Sequence, residues 1–207
     1  MSKIRIVTDS TAYLPQRLVE DLKVTVVPLV VNFRGESHPE GTRYSNEEFF
    51  RLMAESPTLP TTSQPSAGVF VEAYKKLFDE GAEDIIGIFI SSELSGTYYS
   101  AKTAAEILGT SRVHLFDSRF TVNSMIYMVT EAAEMANQGK TVEEILSALE
   151  RIKQNMNLFF VVQTLEHLRK GGRIGGAASL IGTLLQLKPI LYLQQGKIEV
   201  FDKVRTK

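Results

Sequence analysis

The stretch DIIGIFISSELSGTYYSA (residues 84–101) places an apolar run directly before a cluster of hydroxyl side chains. Residues 84–90 are rich in isoleucine and predict a buried strand, whereas the residues from 97 to about 108 predict a helix. Three serines, a threonine and a glycine lie between the two, in residues 91–97. Because a strand, a polar turn and a helix in succession are typical of a β-α unit, we expect these hydroxyls at the carboxyl end of a strand.

The same alternation extends outward from this stretch over the first part of the chain. Further strand-like runs precede and follow it, at residues 4–7, 24–33 and 113–116. Alternating strands and helices predict β-α-β units and a parallel, Rossmann-like sheet. From residue 158 the pattern changes to a strand, a glycine-rich segment and two strands joined at Gly196. We therefore predict an N-terminal α/β domain over residues 1–157 and a second α/β domain over residues 158–207.

The composition excludes several classes of protein. The chain has 207 residues and a formal net charge of −1, so it lacks the positive charge typical of proteins that bind nucleic acid. It contains no cysteine, which excludes disulfides and cysteine-ligated metals, and its three histidines show no metal-binding spacing. A strand-like run follows the first residues at once, and no apolar run reaches the ~18 residues of a membrane span. We expect a cytoplasmic protein with no metal and at most transient membrane contact.

A second hydroxyl cluster, Thr61, Thr62 and Ser63, also precedes a predicted helix. If the strands before the two clusters are neighbours, parallel topology brings both clusters to the same edge of the sheet. The alternative interpretation is helix capping, in which Ser95 caps one helix and one of residues 61–63 caps the other. Capping does not account for all three residues of the second cluster.

The residue types in the two clusters favour a carboxylic acid as ligand. Helix N-termini attract anions through their unpaired N–H groups. Neither cluster contains lysine or arginine, and the chain has no GxxxxGK[ST] or GxGxxG motif for phosphate. Neutral hydroxyls and N–H groups satisfy one small monoanion, such as a carboxylate, without burying a countercharge.

Other polar residues leave alternatives open. Asp9 follows the first predicted strand, where it serves either as a nucleophile or metal ligand or as a hydrogen-bonding partner of the turn. Asp117 has the same position after another strand. Arg173 lies at the centre of KGGRIGG (residues 170–176), which is either a flexible turn or a segment that brings a guanidinium close to an anion. An α/β hydrolase or phosphotransferase acting on a phosphorylated or acylated substrate, with Asp9 and Ser95 in catalytic roles, is therefore the alternative function, and an interaction domain is a third.

Six motifs, in this order, make the whole chain similar to the DegV family. They are VTDSTAYLP, PTTSQPSAG, SSELSGTY, VVQTLEHLRKGGRIGG, GTLLQLKPIL and VRTK. The combination of TSQPS and SSxxSGTY is the specific part of this resemblance. The resemblance implies two α/β domains with an acyl chain in an apolar tunnel between them.

The resemblance also implies a function and a set of site residues. DegV-like proteins bind a long-chain fatty acid and present it to a separate fatty acid kinase, without being enzymes and without a cofactor. Carried over by motif, the hydroxyls that hold the carboxylate are those of Thr62 and Ser95. Secondary candidates are Ser63, Gly96, Thr97 and Arg173.

Two further expectations concern the second domain. The resemblance implies a segment beyond Lys207 with a histidine that completes the carboxylate site, so the second domain is expected to be incomplete in this chain. In IGGAASLIGTLLQL (residues 174–187), small residues such as Ala178 and Gly182 alternate with leucines. We interpret this segment either as a tunnel wall or as a helix whose small residues permit tight packing.

Overall fold

The computed structural model describes residues 3–181 and 187–205. The strands are β1 (Ile4–Asp9), β2 (Thr25–Val27), β3 (Val30–Phe33), β4 (Glu36–Pro39), β5 (Thr61–Ser63), β6 (Asp84–Phe89), β7 (Val113–Asp117), β8 (Phe159–Val161), β9 (Leu187–Gln194) and β10 (Lys197–Arg205). The helices are α1 (Gln16–Asp21), α2 (Asn46–Ala54), α3 (Ala67–Asp79), α4 (Thr97–Leu108), α5 (Asn123–Asn137), α6 (Val142–Asn155) and α7 (Glu166–Lys170). Short 3-10 helices occur at Ser10–Ala12 and Gly175–Leu180.

A four-stranded parallel sheet with the order β2-β1-β6-β7 forms the centre of the molecule. Helices α3 and α4 cover one face, where Phe70 and Tyr74 are buried, and α5 covers the other, where Met128 is buried. Burial on both faces explains why β6 is an almost continuous apolar run, with Ile85 and Ile88 inaccessible to solvent. The predicted parallel α/β fold is confirmed.

An antiparallel sheet interrupts this alternation. Strands β4, β3 and β5 form a separate three-stranded sheet, which with α2 makes up the antiparallel insert (residues 30–63). The single strand predicted over residues 24–33 is wrong, because Pro28 and Leu29 separate β2 from β3 and the two belong to different sheets. The insert is lightly packed: Phe33 contacts Phe49 with ring centroids 5.7 Å apart, yet α2 has no buried residue.

Residues 159–205 contribute a third sheet, with antiparallel order β10-β9-β8. The predicted pair of strands joined at Gly196 is confirmed as the β9–β10 hairpin. One face of this sheet, with Leu191 and Ile198, packs into the same apolar core as Ile6 of β1. The domain boundary near residue 157 stays a prediction. The helix predicted around residues 180–187 falls largely on residues 182–186, outside the described residues.

Helix capping follows the sequence closely. Thr141 and Glu144 form a reciprocal capping box at the start of α6, and Ser45 accepts a hydrogen bond from the N–H of Glu48 at the start of α2. Within residues 3–181 and 187–205, no helix combines the length and the apolar character needed to cross a membrane.

Candidate functional site

The carboxyl ends of β1, β6 and β7 lie side by side at one edge of the parallel sheet, which we call the carboxyl edge. Asp9 and Asp117 end β1 and β7, and Ser91 lies two residues after the end of β6. The strand register pairs Thr8 with Ile88 and Phe89 with Asp117. The edge therefore collects the polar residues that the sequence placed after separate strands.

The turn from β6 to α4 (residues 91–97, the serine turn) is organised by Ser91, which is fully buried. The N–H of Ser91 donates to the carbonyl of Phe120 at 2.9 Å. Its carbonyl accepts hydrogen bonds from the N–H groups of Leu94 at 2.9 Å and Ser95 at 3.1 Å. These bonds fold the chain back on itself, and they determine where Ser95 lies.

The hydroxyl of Ser91 reaches a distant part of the chain. It donates to the carbonyl of Gly196 in the β9–β10 hairpin at 2.8 Å and accepts a hydrogen bond from the N–H of Glu93 at 3.2 Å. Charged side chains surround this contact: Arg119 lies 3.1 Å from the Glu93 carboxylate, and Lys197 lies 3.4 Å from it. The hairpin is thus held against the serine turn.

Three further side chains fix the backbone around the serine turn. The carboxylate of Asp9 accepts from the N–H of Ile90 at 2.8 Å, and that of Asp117 accepts from the N–H and hydroxyl of Ser92 at 3.2 and 2.6 Å. The guanidinium of Arg173 donates to the carbonyl of Leu94 at 2.9 Å. Each residue from 90 to 94 therefore forms at least one hydrogen bond, either to another part of the fold or within the serine turn.

The hydroxyls of Ser95 and Thr97 have a different role. They lie 2.9 Å apart, and in the described part of the chain they bond to no other side chain. The N–H of Thr97 lies 3.4 Å from the Ser95 hydroxyl, which is long for a hydrogen bond, and the N-cap position of α4 belongs to Gly96. Capping therefore accounts poorly for Ser95, whose hydroxyl stays available at the N-terminus of a helix.

The second hydroxyl cluster is positioned in an unexpected way. Thr61, Thr62 and Ser63 form β5, which pairs antiparallel with β3 in a separate sheet. The condition that the strands before the two clusters are neighbours in the parallel sheet is therefore not met. Residues 61–63 do not cap α3 either, because its N-cap residue is Ser66. The hydroxyl of Ser63 accepts from the amide of Asn32 at 2.9 Å.

Thr62 pairs with Val31 of β3. Because side chains alternate along a strand, the Thr62 side chain lies on the opposite face of β5 from those of Thr61 and Ser63. It is exposed, and among the described residues its hydroxyl makes no hydrogen bond. Thr62 therefore offers a free donor and acceptor beside an apolar strand.

Gln64 connects the two clusters. Its side-chain amide donates to the hydroxyl of Ser100 in α4 at 3.1 Å, and its oxygen occupies the space that a Cβ atom on Gly96 would need. Glycine at position 96 thus lets the Gln64 side chain approach the start of α4 closely, and a side chain there would displace Gln64. Since Thr62 precedes Gln64 by only two residues, this contact brings β5 to the start of α4.

Asp9 is a hydrogen-bonding partner of the turn after β1. It is inaccessible to solvent and accepts from the N–H and hydroxyl of Thr11 as well as from Ile90. Burial raises the pKa of Asp9, while these hydrogen bonds act in the opposite direction. A nucleophile needs access to its substrate, so the geometry supports the turn-forming interpretation.

Tyr98 and Tyr99 follow Thr97 in the first turn of α4, with ring centroids 5.6 Å apart. Tyr99 is exposed, whereas Tyr98 is half-buried against the core that contains Phe70. The N-terminus of α4 therefore carries two aromatic rings next to the candidate hydroxyls.

Other candidate regions lie apart from this edge. A groove of about 710 Å³ opens at the amino end of the sheet, where His114 lies 2.8 Å from Asp84 on the neighbouring strand. In the proposed tunnel segment, Ala177 and Leu180 are buried and Ala178 is exposed, while Gly182 lies outside the described residues. The described residues contain no group of three or more histidine, aspartate or glutamate side chains arranged as metal ligands.

Three contributors to the site escaped sequence reasoning: Gln64, Ser91 and Gly196. Gln64 lies within the TSQPS motif, and a glycine directly after Ser95 was a signal that something approaches closely there. Ser91 is the first polar residue after an apolar strand, which is where a turn-organising residue is expected. For Gly196, which is 105 residues from Ser91, no local pattern indicates the contact.

Comparisons with known proteins agree with this architecture. A family model described as "Uncharacterised protein, DegV family" matches residues 3–207. A DegV domain-containing protein from Halalkalibacterium halodurans is 42% identical over 206 residues, which cover 100% of this chain and 73% of the relative. A structure on fatty acid binding of a DegV family protein from Thermus thermophilus has a TM-score of 0.92 and 40% identity, covering 98% of this chain and 72% of that one. A fatty-acid-binding (stearic acid) protein from Eubacterium ventriosum has a TM-score of 0.87 and 27% identity, covering 99% and 71%.

Proposed function

The chain belongs to the DegV family, and on that premise we propose that it binds a long-chain fatty acid whose carboxylate is held by the hydroxyls of Thr62 and Ser95. The observation that carries this proposal is the contact of Gln64 with α4, which brings the strand of Thr62 to the turn of Ser95. The fatty acid binding described for the Thermus and Eubacterium proteins supports the same ligand class.

The chemistry of the residues suits a carboxylate. Residues 61–64 and 91–97 contain no lysine or arginine, so the ligand charge is stabilised by hydroxyls and by the N–H groups at the start of α4. The secondary candidates fit around this pair: Thr97 bonds to Ser95, Gly96 admits Gln64, and the Ser63 hydroxyl accepts from Asn32 and so can still donate.

Arg173 adds a cation whose position is fixed by backbone contacts. Its guanidinium donates to the carbonyls of Gly171 and Leu94, and Leu94 directly precedes Ser95. Such a position favours an anion near the serine turn without placing a lysine or arginine inside either cluster.

The rest of the ligand contributes most of the binding free energy. Each buried methylene of an acyl chain contributes about 0.8 kcal/mol, so we propose an apolar tunnel for the tail. We further propose that the protein acts in the cytoplasm as a carrier, which presents the carboxylate to a separate kinase for acyl-phosphate formation. A carboxylate held by neutral groups near the surface is consistent with transfer to a second protein.

A double variant tests the carboxylate assignment. Thr62→Ala combined with Ser95→Ala should weaken fatty acid binding at least a hundredfold, because each hydrogen bond to a charged group contributes about 1.5–3 kcal/mol. Titration with a fluorescent fatty acid measures the effect, and Thr61→Ala is the matched control on the opposite face of β5. Unchanged affinity of the double variant, or an equal loss in the control, would refute the assignment.

A further inference from the structure

We propose that Ser91 is a positioning residue for the carboxylate site and that its hydrogen bond to Gly196 couples this site to the β9–β10 hairpin. This inference rests on the proposed function, since it concerns how Ser95 is held. Ser91 itself does not contact the ligand in this proposal.

The first argument is that every polar group of Ser91 already has a partner. Its N–H bonds to Phe120, its carbonyl accepts from Leu94 and Ser95, and its hydroxyl bonds to Gly196 and Glu93. The residue is inaccessible to solvent. Because the N–H of Ser95 is one of these partners, any displacement of Ser91 is transmitted to the hydroxyl that binds the carboxylate.

The second argument concerns the hairpin. Gly196 has a φ of +86°, and a Cβ atom there would overlap the Ser91 hydroxyl and lie 3.0 Å from the Arg119 side chain. The backbone of the hairpin therefore touches the serine turn directly. A second hydrogen bond, from Arg119 to the carbonyl of Gln195 at 3.3 Å, lies on the solvent-exposed side and also holds the hairpin against the serine turn.

These contacts distinguish a positioning role from a general structural one. Without the Ser91 hydroxyl, the Gly196 carbonyl and the Glu93 N–H lose their buried partner. The exposed contacts of Arg119 and Lys197 then hold the serine turn to the hairpin less tightly. The hydroxyl of Ser95 then samples more positions, so recognition of the carboxylate weakens. The apolar contacts of the acyl chain involve other residues and stay the same.

The test compares two ligands of equal chain length, palmitic acid and hexadecanol. The ratio of their affinities isolates the carboxylate-dependent part of binding. In Ser91→Ala we expect the affinity for the acid to fall about tenfold, which corresponds to about 1.4 kcal/mol, and that for the alcohol to change less than about twofold. The matched control is Thr42→Ala, since the exposed Thr42 hydroxyl also donates to a backbone carbonyl, that of Pro39 at 2.7 Å, away from the serine turn and the proposed tunnel segment.

A second variant covers the case in which Ser91→Ala does not fold. Arg119→Ala loosens the hairpin from its exposed side, and it should lower the acid-to-alcohol ratio in the same direction by about threefold, a difference of less than 1 kcal/mol. An equal loss for acid and alcohol in the folded variants, or an unchanged ratio in both, overturns the coupling. A wild-type protein that binds both ligands without preferring the acid overturns the proposed function itself, and this inference with it.

Discussion

The β3–β4 and β9–β10 hairpins make the same kind of turn in opposite surroundings. In both turns the two central residues have positive φ values, 52° and 79° for Arg34 and Gly35, and 50° and 86° for Gln195 and Gly196. This pattern is typical of type I′ hairpins. A Cβ atom on Gly35 would meet nothing within 4 Å, whereas one on Gly196 would overlap the hydroxyl of Ser91. One turn is exposed in the antiparallel insert, and the other is an anchor for the serine turn.

The difference between the hairpins extends to the two halves of the candidate site. The half that contains Ser95 is held by buried hydrogen bonds from several elements of the fold. The half that contains Thr62 belongs to the insert, where β5 is exposed and α2 has no buried residue. The site therefore combines a preorganised half with a half that is held mainly by strand pairing and by Gln64.

Alanine at the two turn glycines should give the largest contrast. Both substitutions force a side chain into positive φ at about 1–2 kcal/mol, but only Gly196→Ala adds a steric conflict with Ser91, at about 1–3 kcal/mol. We expect Gly196→Ala to lower the free energy of unfolding by about 2–5 kcal/mol and Gly35→Ala by about 1–2 kcal/mol. Urea denaturation measures both, and equal losses would contradict the anchoring role of the β9–β10 turn.

Asp9→Asn should have a smaller effect, with a defined dependence on pH. The amide loses the bond to the N–H of Ile90, and a lost buried hydrogen bond costs about 1–3 kcal/mol. Burial raises the pKa of Asp9 in the folded protein above 3.8, so the folded state binds this proton more tightly than the unfolded state. The resulting contribution to the free energy of unfolding is fully present below pH 3.8, and it is lost as the pH rises through the pKa of the folded state.

The stability of the wild type relative to Asp9→Asn should therefore decline as the pH rises. Urea denaturation over a series of pH values checks this sign. If the difference in the free energy of unfolding between the wild type and Asp9→Asn instead grew with pH, a group other than Asp9 would determine the pH dependence.

Removing helix caps should give the smallest difference in stability between the core, which contains α6, and the antiparallel insert, which contains α2. Thr141→Ala removes one side of a reciprocal capping box on α6, which packs into the core, and should cost about 1 kcal/mol of global stability. Ser45→Ala removes the cap of α2, which buries no residue, so we expect global stability to change by less than about 0.5 kcal/mol. Amide hydrogen exchange should instead show faster opening of α2 alone.

The sequence was informative where structure depends on local pattern. The apolar run at residues 84–90 and the polar turn after it predicted β6 and the start of α4, because a buried parallel strand and a helix N-terminus both have local signatures. Residues 24–33 were predicted as a single strand, and their division at Pro28 was not foreseen. The pairing of β3 with β4 and β5 could not be predicted, since β-branched residues favour a strand without specifying its partner.

The candidate site shows the same division. The hydroxyls of Thr62 and Ser95 follow from their motifs, and their assignment to the carboxylate stays a prediction. The contacts that hold them, Gln64 with Gly96 and Ser91 with Gly196, join residues 32 and 105 positions apart. Local spacing carries no information about such contacts, so they required the fold.

The tyrosine pair at the start of α4 contributes to the intrinsic fluorescence of the protein. The chain contains seven tyrosines and no tryptophan, so no indole emission masks that of the phenol rings. Tyr98 and Tyr99 directly follow the candidate hydroxyls, and Tyr99 is exposed to solvent. Two of the seven phenol rings whose emission can be measured without an attached dye therefore lie at this helix terminus.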